Sequence, residues 1–328
     1  MAKIFKTIAY GSYGEKAIRW LLSLLKKPMS TPINIAIVGA GNIGSAFAYQ
    51  LATAGKCHVT VIARPGSDRL NQLRRDDAIV KDSGERAKVT VCDRIDPATA
   101  FDLVIVTVPV QQLDVLLPAL RDSVATSMLF MCNQFEPKRL RDQIGAARCD
   151  FGMPFVQASL DADGRLHAVI GAGGQKTKLG RQRWVDLFNS AGLPAMIEPD
   201  MLLWLRCHAP MCVAFESVSV AGMRRGGGAS WQEASTIALG MQTCFALIRA
   251  GGEPLYPAGK ARLAASPRWV PAAMLWTISR IPSFRTLLAQ GINECRALAD
   301  IMAQFAKQSA QHIDAASITA MKPGAGDR

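Results

Sequence analysis

Gly39-Ala40-Gly41-Asn42-Ile43-Gly44 is the segment of this 328-residue chain whose residue types and spacing carry the most chemistry. A GxGxxG on its own is weak evidence, because many glycine-rich turns match it by accident. Here an apolar run beginning at Ile33 leads into the loop, a helical run from Ser45 to Ala52 leaves it, and a second strand-like run, His58 to Ala63, follows Gly55. That order is the βαβ unit of a dinucleotide-binding fold. Gly39 would permit the tight turn, Gly41 the close approach of a pyrophosphate, and Gly44 the packing of helix on strand. The phosphates would meet the N–H groups and the positive end of a helix starting near Asn42. The second strand ends at Arg64, followed by Ser67 and Arg69, where an NAD site usually has Asp or Glu for the ribose 2′-hydroxyl. A cation there favours a 2′-phosphate, so NADPH is the expected cofactor. The bland alternative is that Arg64 is a solvated loop charge, with Asp68 close in sequence.

The elements that must position these residues follow the same plan. Phe101 to Val108 is a near-continuous β-branched run, as expected for a parallel strand buried on both faces, and Pro109 ends it. A helix is expected over 111–121 and a further strand over 127–132, ending at Asn133. Thr107, Val108, Gln112 and Asn133 fall on the carboxyl edge, where a doubly wound sheet places its ligand groups, and are expected to line the nicotinamide side. A strand is expected over 88–92, and an antiparallel pair from 150–156 and 166–170 around the Asp161 to Gly164 turn. A helix over 178–189 and an edge strand over 195–198 complete the α/β part. Past Pro199 the periodicity is almost wholly helical. The expected fold is therefore a Rossmann-like parallel sheet, residues 32–198, followed by an all-α domain, residues 199–321, with residues 322–328 a disordered tail.

The chain is long enough for two domains. Its formal net charge is +12, but Lys and Arg are scattered and no basic stripe is interleaved with aromatics, which argues against a nucleic-acid partner. The eight cysteines form no CxxC pair, so free thiols, no metal and a reducing cytoplasm are expected. No secretory cleavage pattern and no apolar stretch of about 18 residues is present. Residues 1–28 hold six lysines and arginines against Glu15, with an apolar patch around Trp20. They read as a basic amphipathic segment for an anionic membrane surface. A start at Met29 or a docked helix are the alternatives. A homodimer is left open.

The arrangement resembles the ketopantoate reductase (2-dehydropantoate 2-reductase) family, from about Ile33 to Ile318. The glycine loop matches, Arg64 resembles the family's 2′-phosphate contact, Asn133 in Cys-Asn-Gln resembles its strand-end asparagine, and Ala158 falls near a cofactor contact. The family's second domain opens with a helix carrying Trp, a catalytic Lys two residues on and an Asn four beyond. Aligning Trp204 puts Arg206 at the lysine, Pro210 at the asparagine and Ala214 at the next asparagine. Arg is too basic to act as a general acid, though it can polarise a carbonyl or hold a carboxylate. His208 points to the opposite side of that helix and reads as structural. Glu294 in Gly291-Ile-Asn-Glu-Cys295 matches the family's late-helix glutamate, and the family's substrate serine corresponds loosely to the stretch from Ser279 to Ser283. The resemblance implies an NADP(H)-dependent oxidoreductase acting on a 2-oxo acid or related small carbonyl substrate, with Arg206 and Glu294 as its catalytic candidates. The alternatives are a non-catalytic NADP(H)-binding protein with an eroded substrate face and, more remotely, an NAD-dependent 3-hydroxyacid or glycerol-phosphate dehydrogenase.

Overall fold

Two apolar strands, β1 (Ile33–Val38) and β6 (Leu103–Val106), lie side by side in parallel, and from Ile35 on every residue of both is almost wholly buried. Nothing but a sheet covered on both faces can hide such runs. The computed structural model describes residues 32–289 and 291–324. The expectations for residues 1–31, among them the basic amphipathic segment of 1–28, lie outside the described residues.

Between these strands come α1 (Asn42–Thr53), β2 (Cys57–Ile62), α2 (Asp68–Asp76), β3 (Ala78–Val80), β4 (Arg86–Lys88) and β5 (Thr90–Cys92). After β6 a short 3₁₀ turn, Val110–Gln112, leads into α3 (Leu113–Asp122), β7 (Met128–Phe130), α4 (Pro137–Ile144), β8 (Cys149–Met153), β9 (Val156–Leu160), β10 (Leu166–Ile170), β11 (Thr177–Leu179), α5 (Gln182–Ser190) and β12 (Ala195–Ile197). Among the described residues the main sheet has the order β12-β11-β8-β7-β6-β1-β2-β5, parallel throughout except where β11 meets β8. Strand order reverses on either side of β1 and β6, which is where a doubly wound sheet opens its ligand crevice. The rest is helical: α6 (Met201–Arg224), α7 (Trp231–Ala250), α8 (Ala258–Ala265), α9 (Trp269–Ile278), α10 (Pro282–Leu288), α11 (Ile292–Gln308) and α12 (Ala315–Ala320).

The expected architecture is found, with three corrections to its elements. The run 88–92 serves two sheets: Arg86–Lys88 pairs antiparallel with β3, whereas Thr90–Cys92 pairs parallel with β2, and Val89 is the buried residue between. The run 150–156 is likewise divided, because Pro154 has no N–H to donate to a ladder. Its first part joins the main sheet as β8, and the true partner of β10 is β9. Thr177–Leu179 is a strand between β8 and β12, so the helix expected from Lys178 starts only at Gln182. Gly180 follows the strand, and Lys178 therefore belongs to the sheet, next to its edge strand β12.

One apolar cluster runs from the sheet into the helices, linking Phe130 and Phe151 with Trp204, Val213, Phe245, Leu298 and Met302. α6 crosses between them and continues through Pro210, which is buried. Lys322 is ion-paired with Asp300, and Arg296 donates to the carbonyl of Pro323 at 2.7 Å. These contacts fix Lys322 and Pro323 against α11; the rest of the expected tail, 325–328, lies outside the described residues.

The β9–β10 hairpin is tied to the glycine loop by one side chain. Arg69 donates through Nε to the carbonyl of Ala40 at 3.1 Å, and through its two terminal nitrogens to Gly164 O at 2.7 Å and Ser45 Oγ at 2.9 Å. Arg69→Met would leave these acceptors short of a donor and is expected to cost about 1–3 kcal/mol of stability, read by urea denaturation.

Candidate active site

The glycine loop is shaped by contacts that admit no side chain at two of its three glycines. Gly39 has φ +104, and a Cβ there would lie 2.9 Å from Val108 Cγ1; a Cβ on Gly44 would lie 1.9 Å from the carbonyl oxygen of Gly39. Thr107 Oγ1 donates to that same carbonyl at 2.8 Å, so Thr107 and Val108 support the loop from below. Gly41 differs, since a Cβ there would meet no protein atom within 4 Å. It is the N-cap of α1, and no side chain caps this helix end. The first N–H groups of α1, including those of Asn42, Ile43 and Gly44, lack i−4 partners by the geometry of a helix. This donor set, at the positive end of α1, fits a pyrophosphate.

Ala40 is buried and gives its carbonyl to Arg69 and Ser45. Asn42 accepts the N–H of Leu160 at 3.1 Å, so its side chain braces β9. Ala158 lies two residues earlier on β9, paired with Ala168. Arg64 stands exposed at the end of β2 with no ion pair among the described residues; its carbonyl accepts from Ser67. The expected cation set is thus divided: Arg64 is open to a ligand and Arg69 is engaged by the fold. Gln112 is exposed at the end of the 3₁₀ turn.

Asn133 and Glu294, 161 residues apart, are brought together. Asn133 Nδ2 donates to Glu294 Oε2 at 3.2 Å, and the N–H of Val110 donates to Oε1 at 3.4 Å. The carboxylate, in the first turn of α11, thus clasps the ends of β6 and β7. Burial raises its pKa above the ordinary glutamate value. Asn133 Oδ1 is buried with no hydrogen-bond partner. A buried amide oxygen in this condition is costly, and a donor such as a nicotinamide carboxamide would satisfy it.

Arg206 does not join them. It forms an ion pair with Glu253 at 2.8 Å, off the line a hydrogen bond needs, and its guanidinium lies 4.9 Å from the Phe135 ring and 5.9 Å from that of Phe305. Phe305 is eleven residues beyond Glu294 on α11, roughly 16 Å along the axis. Half a turn away, His208 stacks on Trp204 at 4.4 Å, and burial pulls its pKa down to about 3, so it is neutral. In the loosely matched stretch, Ser279 is structural too: its Oγ accepts the N–H of Ala229 at 3.0 Å.

Sequence reasoning missed Glu216. It is buried on α6, accepts the N–H of Gly291 at 2.8 Å, and burial pushes its pKa up to about 7, with the nearby charge of Glu294 adding to the rise. A single acid within Val213-Ala-Phe-Glu216-Ser-Val was the available signal. No group of three or more metal-ligating residues is found among the described residues, and all eight cysteines are free thiols. No helix among the described residues is long and apolar enough to cross a membrane.

Because the folded-state pKa of Glu216 is raised, its contribution is fully present below the unfolded value near 4.5 and lost as pH rises through 7. Glu216→Gln is accordingly expected to stabilise the protein by roughly 1–3 kcal/mol at pH 8 relative to wild type, and much less at pH 4.5, in denaturation at the two pH values.

Residues 35–184 match the model of the family described as ketopantoate reductase PanE/ApbA. No curated protein matches the sequence. Among solved structures, the fold is shared with a PanE/ApbA family ketopantoate reductase from Ralstonia eutropha JMP134 at TM-score 0.65 and 20% identity, over 88% of this chain and 96% of that one. A 2-dehydropantoate 2-reductase from Porphyromonas gingivalis W83 gives 0.62 and 17%, over 88% and 98%. A D-mandelate dehydrogenase solved with NADH gives 0.65 and 14%, over 88% and 96%. Residues 35–184 are thus similar to the PanE/ApbA ketopantoate reductase domain, and the chain as a whole shares the fold of these solved structures.

Proposed function

We propose that the protein is an NADP(H)-dependent oxidoreductase that reduces a 2-oxo acid or a related small carbonyl compound. The observation that carries this reading is the convergence of Glu294, Asn133 and Val110 at the carboxyl edge of the sheet, on the strand ends next to the glycine loop. Residues 32–198 would hold the cofactor and residues 199–321 would close over the substrate. The uncapped end of α1, with Gly41 open to solvent, suits the pyrophosphate; the unpaired Arg64 suits a 2′-phosphate; the orphaned Asn133 Oδ1 suits the carboxamide. NADPH, when bound, supplies the hydride.

The chain itself must manage the accompanying proton. Arg206 cannot release one at working pH and is occupied by Glu253. Glu294, whose burial favours the protonated form, is the group placed to hold or pass it, with Glu216 behind it. The free thiols suit a reducing cytoplasm. The second reading, a cofactor-binding protein without turnover, draws on Arg206 and Pro210 standing where the related reductases are expected to have lysine and asparagine.

Both readings require NADPH to bind more tightly than NADH, and Arg64→Ala is expected to weaken NADPH by about tenfold, or 1.4 kcal/mol, with little effect on NADH. Equal affinities would remove the 2′-phosphate assignment. A panel of 2-oxo acids followed at the NADPH absorbance separates the two readings. A saturable rate that Glu294→Gln lowers by about a hundredfold supports the enzyme; tight binding with no oxidation supports the second reading.

A further inference from the structure

A second polar cluster lies at the start of α6, built from residues that the cofactor reading leaves unused. Lys260, on α8, is only 7% exposed. Its Nζ donates to the carbonyl of Trp204 at 3.2 Å and stands 4.5 Å from the centroid of the Trp204 ring. Lys178, on β11, approaches the same ring at 5.3 Å. The nearby carboxylate is Glu198, and both its oxygens are taken: Oε2 accepts Lys178 at 2.7 Å and Oε1 accepts the hydroxyl of Tyr256 at 2.7 Å. Lys260 forms no ion pair among the described residues.

The charges therefore do not balance. Lys178 and Glu198 cancel, His208 is neutral, and Lys260 is a buried ammonium with an indole face and one peptide carbonyl for company. An isolated buried ammonium is strongly disfavoured. Burial pulls the pKa of Lys260 down to about 8, with Lys178 adding to the fall while Cys207 and Glu198 oppose it. The ammonium still dominates at neutral pH, and an anion would complete the site.

The cluster also faces the right space. His208, Met211, Cys212 and Phe215 are the partly exposed residues along one side of α6, whereas Arg206 lies half a turn away against Phe135. This side starts at Trp204 and His208 and ends by Glu216, which neighbours Glu294 through the first turn of α11. From His208 to Glu216 is eight residues, about 12 Å of helix. One open face of α6 thus joins a cationic end to the carboxyl end at Asn133. From this geometry we infer that Lys260, supported by Lys178, is the subsite that holds the carboxylate of the substrate, a role for which Arg206 is misplaced. The inference rests on the reductase reading for the identity of the anion, but the subsite itself can be tested without it.

The probe is oxamate, a carboxylate that cannot be reduced, titrated calorimetrically into the full-length protein with and without NADP⁺. Wild type is expected to bind it saturably at pH 7 and to lose affinity above pH 8, as Lys260 deprotonates among Lys178, Glu198, Tyr256, Cys207 and His208. Lys260→Met should weaken oxamate by about tenfold or more, leave NADP⁺ binding unchanged, and melt higher than wild type in the absence of ligand, because a lone buried charge is gone. Lys260→Arg, which keeps the charge, should retain oxamate binding. Absence of saturable binding to wild type, or equal affinity of wild type and Lys260→Met, would overturn the subsite. Failure of NADP⁺ to bind while oxamate still does would instead refute the reductase reading and leave the anion subsite standing.

Discussion

The closeness of Gly44 to Gly39 is the constraint on which the rest of the site depends. With no side chain at either position, the first turn of α1 presses against the carbonyl of Gly39, and Thr107 at the end of β6 fastens that carbonyl from the other side. The N-terminus of α1 is thereby fixed over the switch point of the sheet. Arg69 adds the β9–β10 hairpin to the same loop, and Asn42 repeats the connection to β9. The geometry of the loop is a product of packing.

From this fixed edge the helical half can be read as a set of charge problems. α11 brings Glu294 down onto β6 and β7, where an amide and a peptide N–H receive it. α6 brings Glu216 against the first turn of α11 and leaves Arg206 on the opposite side with Glu253. α8 brings Lys260 over Trp204 without a counter-ion. Buried charges that are incompletely paired cost stability, and proteins keep them where a ligand or a proton supplies the missing partner. The reductase reading gives both carboxyl groups and Lys260 such partners along one crevice.

Much of this was legible in the sequence, for identifiable reasons. The buried strands announce themselves as β-branched runs, the glycine loop by its spacing, and the helical half by its period. Pairing across distance was not legible. Pro154 divides an apparent single strand, and Thr177–Leu179 looks like the start of a helix until β8 and β12 are seen on either side of it. The Asn133–Glu294 contact was foreseen only as two separate positions, each by resemblance. The position of Arg206 matched by alignment, but its side chain follows the aromatic rings of Phe135 and Phe305. Lys260 follows Tyr256-Pro-Ala-Gly with no local signal at all, because its meaning comes from Trp204 and from the charges already spent around it.

Gly41 offers the most direct test of the central claim that this loop is built for a dinucleotide. Its backbone, at φ −75 and ψ −165, is open to any residue, and a Cβ there would meet no protein atom within 4 Å. As N-cap of α1 the glycine is modestly favoured by the helix itself, and the proposed pyrophosphate is the group that would need the space beside it. Titration of NADPH into Gly41→Val should therefore show affinity reduced by about a hundredfold or more, with a melting temperature in the absence of cofactor lowered by no more than a poorer N-cap explains. Wild-type affinity in that variant would contradict the account.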